Sequence, residues 1–366
     1  GLRTLVVVDN EIVRQTHSLF LGSLAERGHE VTVRVAGEGA TPVALAKYGE
    51  YMYDNLILLA PLLNETTPGV RVSDVMGFTE SGGNVIAAGD VDMGLTVRAL
   101  GALSGIEFDR PGTRVIDHFG RASLLPGAVG GVAAVTSRLL LGAYLDGGAA
   151  KPVFYSGVGH AIESDNIQAV VVLKGSGTAY TADPSRPIGR APENAGGSVA
   201  LVTAVQARNN ARLLVAGSLA MFSDQFFQVG LTILLGLEAA GAGNAVFCTE
   251  VSRWALRERG VLRASDVAHS RADGTAAELL LHQKDRRDLP FSLFPEPEIA
   301  KHSQVYRIKD LVTYSVTIEE YDAAHGGWRP YVADDVQMDF VMLDPFERIT
   351  LGCDRATGRF HTTFVM

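Results

Sequence analysis

Residues 4–9 of the chain read TLVVVD and decide the fold class. This run is apolar without alternation, which is typical of a strand that is buried on both faces of a sheet. A helical pattern from Arg14 to Arg27 follows and stops at Gly28, and Glu30–Val35 is strand-like again. Strand, helix and strand joined by short turns predict a doubly wound, mostly parallel α/β sheet.

The same periodicities extend outward from this first unit. We predict helices over 42–53, 70–81, 224–237 and 245–259, and strands over 55–59, 84–88, 153–155, 169–173, 198–205 and 212–216. Residues 266–310 differ in composition, because 15 of these 45 residues are charged, against 20% in the whole chain. Beyond them, alternating apolar and polar residues predict half-buried antiparallel strands.

The predicted organisation is therefore an α/β domain over 1–265, a charged linker over 266–310 and the start of a β domain over 311–366. The chain is 47% hydrophobic and carries 32 basic against 41 acidic residues, a net charge of −9. Proteins that bind nucleic acid usually carry a basic excess, so no nucleic acid partner is predicted. No apolar run reaches the length of about 20 residues that a bilayer requires.

Motifs of catalysis and cofactor binding do not stand out in the sequence. A Gly-x-Gly-x-x-Gly or Walker loop and a Gly-x-Ser-x-Gly nucleophile elbow are both missing. Asp117-His118 is the best acid–base pair, although a polar strand end explains it equally well. Four carboxylates near strand ends are predicted to lie where open α/β sheets bind their ligands: Asp9, Asp54, Asp90 and Asp92. Asp90-Val91-Asp92 is a candidate site for a divalent ion, although helix capping and turn formation are commoner roles for such aspartates.

Cys248 and Cys353 belong to no CxxC pair or zinc ligand set. Two buried free thiols are favoured over a single disulfide. We therefore predict no catalytic residue, no cofactor site and no metal site.

Two surface motifs remain. Gln206, Arg208, Asn209, Asn210 and Arg212 fall within QARNNAR, which predicts either a hairpin tip or a recognition loop for an acidic partner or a lipid phosphate. Asn64-Glu65-Thr66 is a candidate N-glycosylation sequon in a polar loop.

Several long strings occur in an order that resembles a known family. They are residues 47–57, 105–109, 206–212, 217–218, 222–227, 252–254, 260–263, 334–337 and 344–346. Taken together, they resemble the non-catalytic lumenal subunit, of the DDOST or Wbp type, of the eukaryotic oligosaccharyltransferase complex.

This resemblance implies a scaffold protein of the endoplasmic reticulum membrane with its bulk in the lumen. It implies an amidotransferase-like N-terminal domain without its nucleophile, a β-sandwich-like region and a C-terminal membrane anchor, which we expect beyond Met366. The implied partners are the membrane-embedded catalytic subunit, a ribophorin-type subunit and smaller subunits of the complex. The complex transfers a dolichol-pyrophosphate-linked oligosaccharide to Asn-x-Ser/Thr. The alternatives are a stand-alone α/β hydrolase that uses Asp117 and His118, and a carbohydrate-binding module.

Overall fold

A computed structural model of the protein describes residues 2–36, 43–119, 133–135, 153–189, 191–228, 243–273, 278–279, 304–322, 325–341 and 346–365. The chain divides into two compact units, Gly1–Arg257 and Glu258–Met366. Each unit is described by itself.

The first unit alternates strands and helices. Its strands are β1 (Arg3–Val8), β2 (Glu30–Val35), β3 (Ala46–Lys47), β4 (Glu50–Tyr51), β5 (Asn55–Leu59), β6 (Asn84–Ala88), β7 (Ile106–Phe108), β8 (Arg114–Ile116), β9 (Ala133–Val135), β10 (Val153–Tyr155), β11 (His160–Ile162), β12 (Ala169–Lys174), β13 (Tyr180–Ala182), β14 (Ala200–Gln206) and β15 (Arg212–Ala216). Its α-helices are α1 (Glu11–Thr16), α2 (Ser18–Glu26), α3 (Val72–Glu80), α4 (Leu95–Leu103), α5 (Asp224–Gln228) and α6 (Asn244–Ala255).

The first unit contains one nine-stranded sheet, which we call the main sheet. Its strand order is β2-β1-β5-β6-β15-β14-β11-β7, with β12 paired to β14. Strands β2, β1, β5, β6 and β15 are parallel, whereas β14, β11 and β7 add antiparallel pairings. The parallel part of the main sheet confirms the coarse α/β prediction.

Both faces of the main sheet are buried. In β1, Val6 and Val8 belong to one core cluster, and Leu5 and Val7 belong to a second. Side chains from α2, α5 and α6 join the first cluster, and side chains from α3 and α4 join the second. Because successive strand residues point to opposite faces, a run such as TLVVVD needs this cover on both sides.

The predicted elements differ from the observed ones in several places. No helix was predicted where α4 lies, and the helix predicted over 245–259 ends at Ala255. The helix predicted over 42–53 is wrong for residues 43–53, which contain the β3–β4 hairpin. Tyr48 and Gly49 at its turn have φ angles of 55° and 86°, which a right-handed helix does not allow. The helix predicted over 14–27 is divided at His17, whose ring contacts the carbonyl oxygens of Val13 and Leu219. The part of the predicted helix 224–237 beyond Gln228 lies outside the described residues.

The second unit is built from strands. They are β16 (Leu262–Arg271), β17 (Glu278–Leu279), β18 (Gln304–Val305), β19 (Leu311–Asp322), β20 (Gly327–Pro330), β21 (Gln337–Val341), β22 (Phe346–Thr350), β23 (Gly352–Asp354) and β24 (Arg359–Val365). An antiparallel sheet has the order β16-β19-β24-β23, and β20 also pairs with β19. Val316, Leu351 and Phe360 form its small core.

Strand β16 differs from the predicted linker. It runs through residues 266–271, so the strands of the second unit begin before the linker that was predicted from 266. Most side chains of β16 are exposed, and composition cannot separate a solvated strand from a solvated linker. Residues 274–277 and 280–303 of the predicted linker lie outside the described residues. Within the described ranges, no helix is both long and apolar enough to cross a membrane.

Candidate functional site

The first candidate site is the edge of the main sheet at which its parallel strands end. Asp9 directly follows β1, and Asp90 lies two residues after β6. Val8 pairs with Leu59 at the end of β5, which lies between β1 and β6. The two aspartates therefore extend from the same edge, which we call the carboxyl edge. Open α/β sheets bind their ligands at this edge.

Burial changes the electrostatics of both aspartates. It raises the pKa of Asp9 to about 6, with a further increase from the charge of Asp90. The N–H of Leu62, which donates to Asp9 Oδ2 at 3.3 Å, acts in the opposite direction. Burial also raises the pKa of Asp90, against the N–H of Val91 and the positive charge of Arg114. Partial desolvation therefore makes both carboxylates costly to ionise.

The other two predicted carboxylates differ from this pair. Asp92 is exposed, close enough to Asp90 to raise its pKa. The prediction is wrong for Asp54, which precedes β5 and so lies at the opposite edge. There the N–H and guanidinium of Arg3 donate to Asp54 at 2.8 and 3.0 Å and hold its pKa below the usual range. In the described ranges, no group of three or more His, Cys, Asp or Glu side chains is arranged to hold a metal ion.

A hydrolase would need a nucleophile on a strained turn between a strand and a helix. The turn after β6, one place where such a nucleophile could lie, contains Gly89 and Asp90 and no Ser, Thr or Cys at these two positions. Across the described part of the chain, the residues other than glycine with positive φ are Tyr48, Asn210, Arg257, Asp266 and Lys309. None of these five carries a hydroxyl or thiol nucleophile of the Ser, Thr or Cys type.

Both cysteines are free thiols. Cys248 is buried on α6, and its Sγ donates to the carbonyl oxygen of Met221 at 3.4 Å. Burial raises the pKa of this thiol well above its usual value, so it stays protonated and weakly nucleophilic. Cys353 is half-buried in β23.

Asp117 and His118 follow β8 and enter different contacts. Asp117 is buried and accepts hydrogen bonds from Ser176 Oγ and from Thr178 Oγ1, the latter at 2.9 Å. His118 is exposed, and its Nε2 lies 2.9 Å from Tyr180 Oη. These contacts tie the end of β8 to the segment around β13, its partner strand. They favour a structural role for the pair over the acid–base hypothesis.

The QARNNAR string forms the tip of the β14–β15 hairpin. Gln206 pairs with Arg212 at the base of the tip, and Asn210 adopts a φ of 67°. Asparagine tolerates this left-handed conformation better than most residues do. Arg208, Asn209 and Asn210 are exposed. Recognition of a partner by this tip stays a prediction.

Two residues of the string bind within the fold. Asn209 Nδ2 donates to the carbonyl oxygens of Thr79 and Glu80, at 2.9 and 3.0 Å, where α3 ends. Arg212 is only 4% exposed, and its Nη1 donates to the carbonyl oxygen of Trp254 at 2.7 Å. Its guanidinium carbon lies 4.7 Å from the Trp254 ring centroid, and burial lowers its pKa to about 10. The assignment of Arg212 to an interaction loop is therefore wrong, because strand alternation directs this side chain towards α6.

Sequence reasoning missed a row of buried polar side chains at the opposite edge of the main sheet. Asn55 Nδ2 donates to Thr4 Oγ1 at 3.3 Å, and Thr4 Oγ1 lies 2.8 Å from His29 Nδ1. Asn84 Nδ2 donates to Asn55 Oδ1 at 2.9 Å, and Asn84 Oδ1 accepts the N–H of Arg212 at 3.1 Å. We call these five residues the amino-edge ladder. One signal was available, because a polar residue opens each of three apolar strands, TLVVV, NLILL and NVIAA.

Two further side chains hold helices in place. Asp224 accepts the N–H groups of Ser18 and Leu19, at 3.1 and 2.8 Å, and so caps α2 from about 200 residues away in sequence. Asn244 Nδ2 donates to the carbonyl oxygen of Phe154 at 2.9 Å, and its Oδ1 accepts the Phe154 N–H at 2.7 Å. Asp224 belongs to one of the strings that carry the family resemblance, and it acts as a capping residue here.

Asn64, the candidate glycosylation residue, is exposed in the loop after β5. Its Oδ1 accepts the N–H of Leu95, the first residue of α4, at 3.3 Å. Its backbone carbonyl accepts the N–H of Thr67 at 3.0 Å, and Thr66 is exposed beside it. The sequon therefore lies in a folded turn at the surface, next to the carboxyl edge.

Comparison with known proteins gives a consistent family assignment. The model of the OST48 N-terminal domain matches residues 1–258, and that of the OST48 middle domain matches residues 295–366. Three relatives are 48 kDa subunits of dolichyl-diphosphooligosaccharide–protein glycosyltransferase. The Danio rerio protein is 36% identical over 95% of this chain and 73% of its own length. The Caenorhabditis elegans protein is 35% identical (99% and 76%), and the Arabidopsis thaliana protein is 33% identical (99% and 77%).

Among solved structures, the crystal structure of a ThuA-like protein from Parabacteroides merdae aligns with 70% of this chain and 90% of that chain. The sequence identity is 13% and the TM-score is 0.36, which is too low to define a fold family. The amidotransferase-like character of the first unit therefore stays a prediction.

Proposed function

This chain belongs to the OST48 family, and we propose that it works as a non-catalytic scaffold subunit of an oligosaccharyltransferase complex. Such a complex transfers an oligosaccharide from a dolichol-pyrophosphate carrier to the asparagine of Asn-x-Ser/Thr acceptors. The proposed partners are a membrane-embedded catalytic subunit, a ribophorin-type subunit and smaller subunits of the complex. The proposed location is the endoplasmic reticulum membrane, with the bulk of this chain in the lumen and the full-length protein anchored in the bilayer.

One observation carries the scaffold role. Polar residues of the strings that resemble the family, namely Asn209, Arg212 and Asp224, bind main-chain groups of their own fold. Each of them ties an element of the first unit to another part of that unit. A protein whose distinctive polar residues hold its own elements together presents a rigid surface, and rigid surfaces lose little entropy on association.

The environments of the candidate catalytic groups favour the same role. The Cys248 thiol is buried and protonated, and the Asp117 carboxylate accepts hydrogen bonds from two hydroxyl groups. His118 contacts a tyrosine hydroxyl at the surface. These contacts favour the scaffold over the hydrolase hypothesis.

The test compares a core variant with a surface variant in cells that lack the native chain. Val7 is fully buried in β1, so Val7→Asp places an unpaired carboxylate in the core and costs several kcal/mol. Val7→Ile is the matched control, since it keeps an apolar side chain there. His118→Ala removes the exposed imidazole and leaves the core intact.

We expect the wild type, Val7→Ile and His118→Ala to co-purify with the catalytic subunit from detergent-solubilised membranes. Val7→Asp should lose its partners and lower sequon occupancy at many unrelated acceptor proteins together. Stable specific interfaces bury about 1,200–2,000 Å², so loss of the folded surface should abolish association. A wild-type chain that elutes alone, with occupancy unchanged by its removal, contradicts the subunit role. If His118→Ala stays in the complex but lowers occupancy, the chain takes part in the chemistry and the non-catalytic role is wrong.

A further inference from the structure

We propose that Asn64 carries an N-linked oligosaccharide, so that this chain is itself an acceptor of the reaction its complex performs. The proposal rests on the lumenal location given under the proposed function. Asn64-Glu65-Thr66 is the only Asn-x-Ser/Thr triplet in the whole sequence. Any N-glycan within these 366 residues is therefore assigned to Asn64.

The folded structure leaves the reacting atom of Asn64 available. Its Oδ1 accepts the N–H of Leu95 at 3.3 Å, and Oδ1 stays a carbonyl oxygen after glycosylation. The sugar is attached to Nδ2, which takes no part in that bond. A glycan on Asn64 is thus compatible with the hydrogen bond that holds the loop against the start of α4.

Close packing around Gly94, the residue before α4, positions this loop. A Cβ at Gly94 would lie 2.2 Å from the Leu63 carbonyl oxygen and 2.8 Å from Asn64 Oδ1. Only glycine permits this approach, which keeps the Asn64 side chain at the surface beside α4. A chain that is modified before it folds can therefore bury its core without burying the sugar.

The chemistry is the transfer that the proposed complex catalyses. Asn64 Nδ2 attacks C1 of the reducing-end sugar of a dolichol-pyrophosphate-linked oligosaccharide. The N–C1 bond forms as the bond between C1 and the pyrophosphate oxygen breaks, and dolichyl pyrophosphate leaves with the electron pair. Nδ2 loses one proton to a base, and no oxidant or reductant is needed.

The position of the sugar has a consequence for the surface around it. The side chains of Leu62 and Leu95 are 55% and 62% exposed. The Leu62 N–H donates to Asp9 at the carboxyl edge, and the Leu95 N–H donates to Asn64. A glycan that projects from this loop covers apolar side chains that are otherwise open to solvent. It also hinders protein partners at the carboxyl edge, so subunit contacts are expected on other surfaces.

The experiment uses the full-length protein, purified from its native membranes together with its complex. The amidase PNGase F releases the glycan in heavy-oxygen water and converts a glycosylated Asn64 to a labelled aspartate, which mass spectrometry detects. Thr66→Ala destroys the sequon without touching Asn64. Thr67→Ala is the matched control at the next residue, where the backbone N–H that contacts Asn64 is retained.

We expect labelled Asn64 peptide for the wild type and Thr67→Ala and none for Thr66→Ala, whose gel mobility should correspond to one glycan fewer than that of the wild type. Thr66→Ser restores an acceptor triplet and should restore the label. Unmodified Asn64 in a chain that co-purifies with the complex overturns this proposal and leaves the proposed function standing. A glycosylated chain that elutes alone supports the modification and counts against the subunit role. An unmodified chain that elutes alone overturns both.

Discussion

The two edges of the main sheet treat buried polar groups in opposite ways. At the amino edge, Thr4, Asn55 and Asn84 lie side by side in register and hydrogen-bond to one another across three strands. At the carboxyl edge, burial raises the pKa of both Asp9 and Asp90, and the charge of Asp90 raises that of Asp9 further. One edge uses its polar groups to stabilise the fold, whereas the other keeps carboxylates that burial destabilises.

Buried polar groups can therefore either stabilise a fold, when they are hydrogen-bonded to one another, or destabilise it, when they are charged and desolvated. A satisfied hydrogen-bond network specifies strand register, because a shift of one residue would leave every donor and acceptor of the ladder unpaired. A desolvated carboxylate without such a network costs stability, and groups of this kind cluster at functional sites. Substitution of a ladder residue and neutralisation of a desolvated carboxylate at the carboxyl edge should therefore change stability with opposite signs.

The largest effect is expected from Asn84→Ala in the amino-edge ladder. Loss of the amide leaves the N–H of Arg212 without this acceptor and Asn55 Oδ1 without this donor, both in the buried interior. Buried groups left unsatisfied cost about 1–3 kcal/mol each, so the free energy of unfolding should fall by about 2–4 kcal/mol. Urea unfolding measures this change. Asn10→Ala, which removes an exposed helix cap at the carboxyl edge, should cost only about 1 kcal/mol. Equal losses in the two variants would show that the ladder adds nothing.

An intermediate effect of opposite sign is expected from Asp9→Asn at the carboxyl edge. The folded pKa of Asp9 is raised to about 6 from 3.8, so the folded state binds its proton more tightly than the unfolded state does. The wild type therefore loses stability as the pH rises from about 4 to 6, and the penalty is fully present above 6. Asparagine keeps an acceptor for the Leu62 N–H and carries no charge. With allowance for solvent screening, the variant should be more stable by about 1–2 kcal/mol at pH 7 and unchanged at pH 3.5. A loss of stability at pH 7 would contradict the desolvation argument.

The smallest effect is expected from Asp54→Asn, at the same strand end as the ladder. Arg3 lowers the folded pKa of Asp54, so its contribution is present above the unfolded pKa and disappears as the pH falls through the folded pKa. The pair is largely exposed, so the loss at pH 7 should be below about 1 kcal/mol and should shrink in high salt. Thermal unfolding of Asp54→Asn, Asp9→Asn and the double variant tests this. Because the sites lie at opposite ends of β1, the two effects should add. A gain of stability in Asp54→Asn would remove the contrast between the edges.

Much of the main sheet could be predicted from local sequence. Strands β2, β5, β6, β10 and β15 have the predicted bounds, because each is an apolar or strand-rich run between turn residues. The region from 43 to 53 could not be predicted in this way. There the chain forms a tight hairpin in which Tyr48 and Gly49 have positive φ angles. The spacing of apolar residues, on which the helix prediction rested, carries no information about these angles.

The candidate site could be predicted only in part. Asp9 and Asp90 were identified because they follow apolar runs that end at one edge of a parallel sheet. Asp54 was misassigned, because a carboxylate next to a strand is at the ligand-binding edge only if it follows that strand. Hairpin geometry suggested exposure for the whole QARNNAR string, yet Arg212 is buried against Trp254.

The α/β class, the positions of several buried strands and the family follow from the amino-acid sequence alone, since these depend on local periodicity and on long ordered strings. The roles of the polar residues, in contrast, become visible only in the packed fold. Asn84, Asp224 and Arg212 bind groups that lie 29, about 200 and 42 residues away in the chain. Hydrogen bonds of this kind depend on which strands and helices become neighbours, and that is a property of the packed fold that no local pattern encodes.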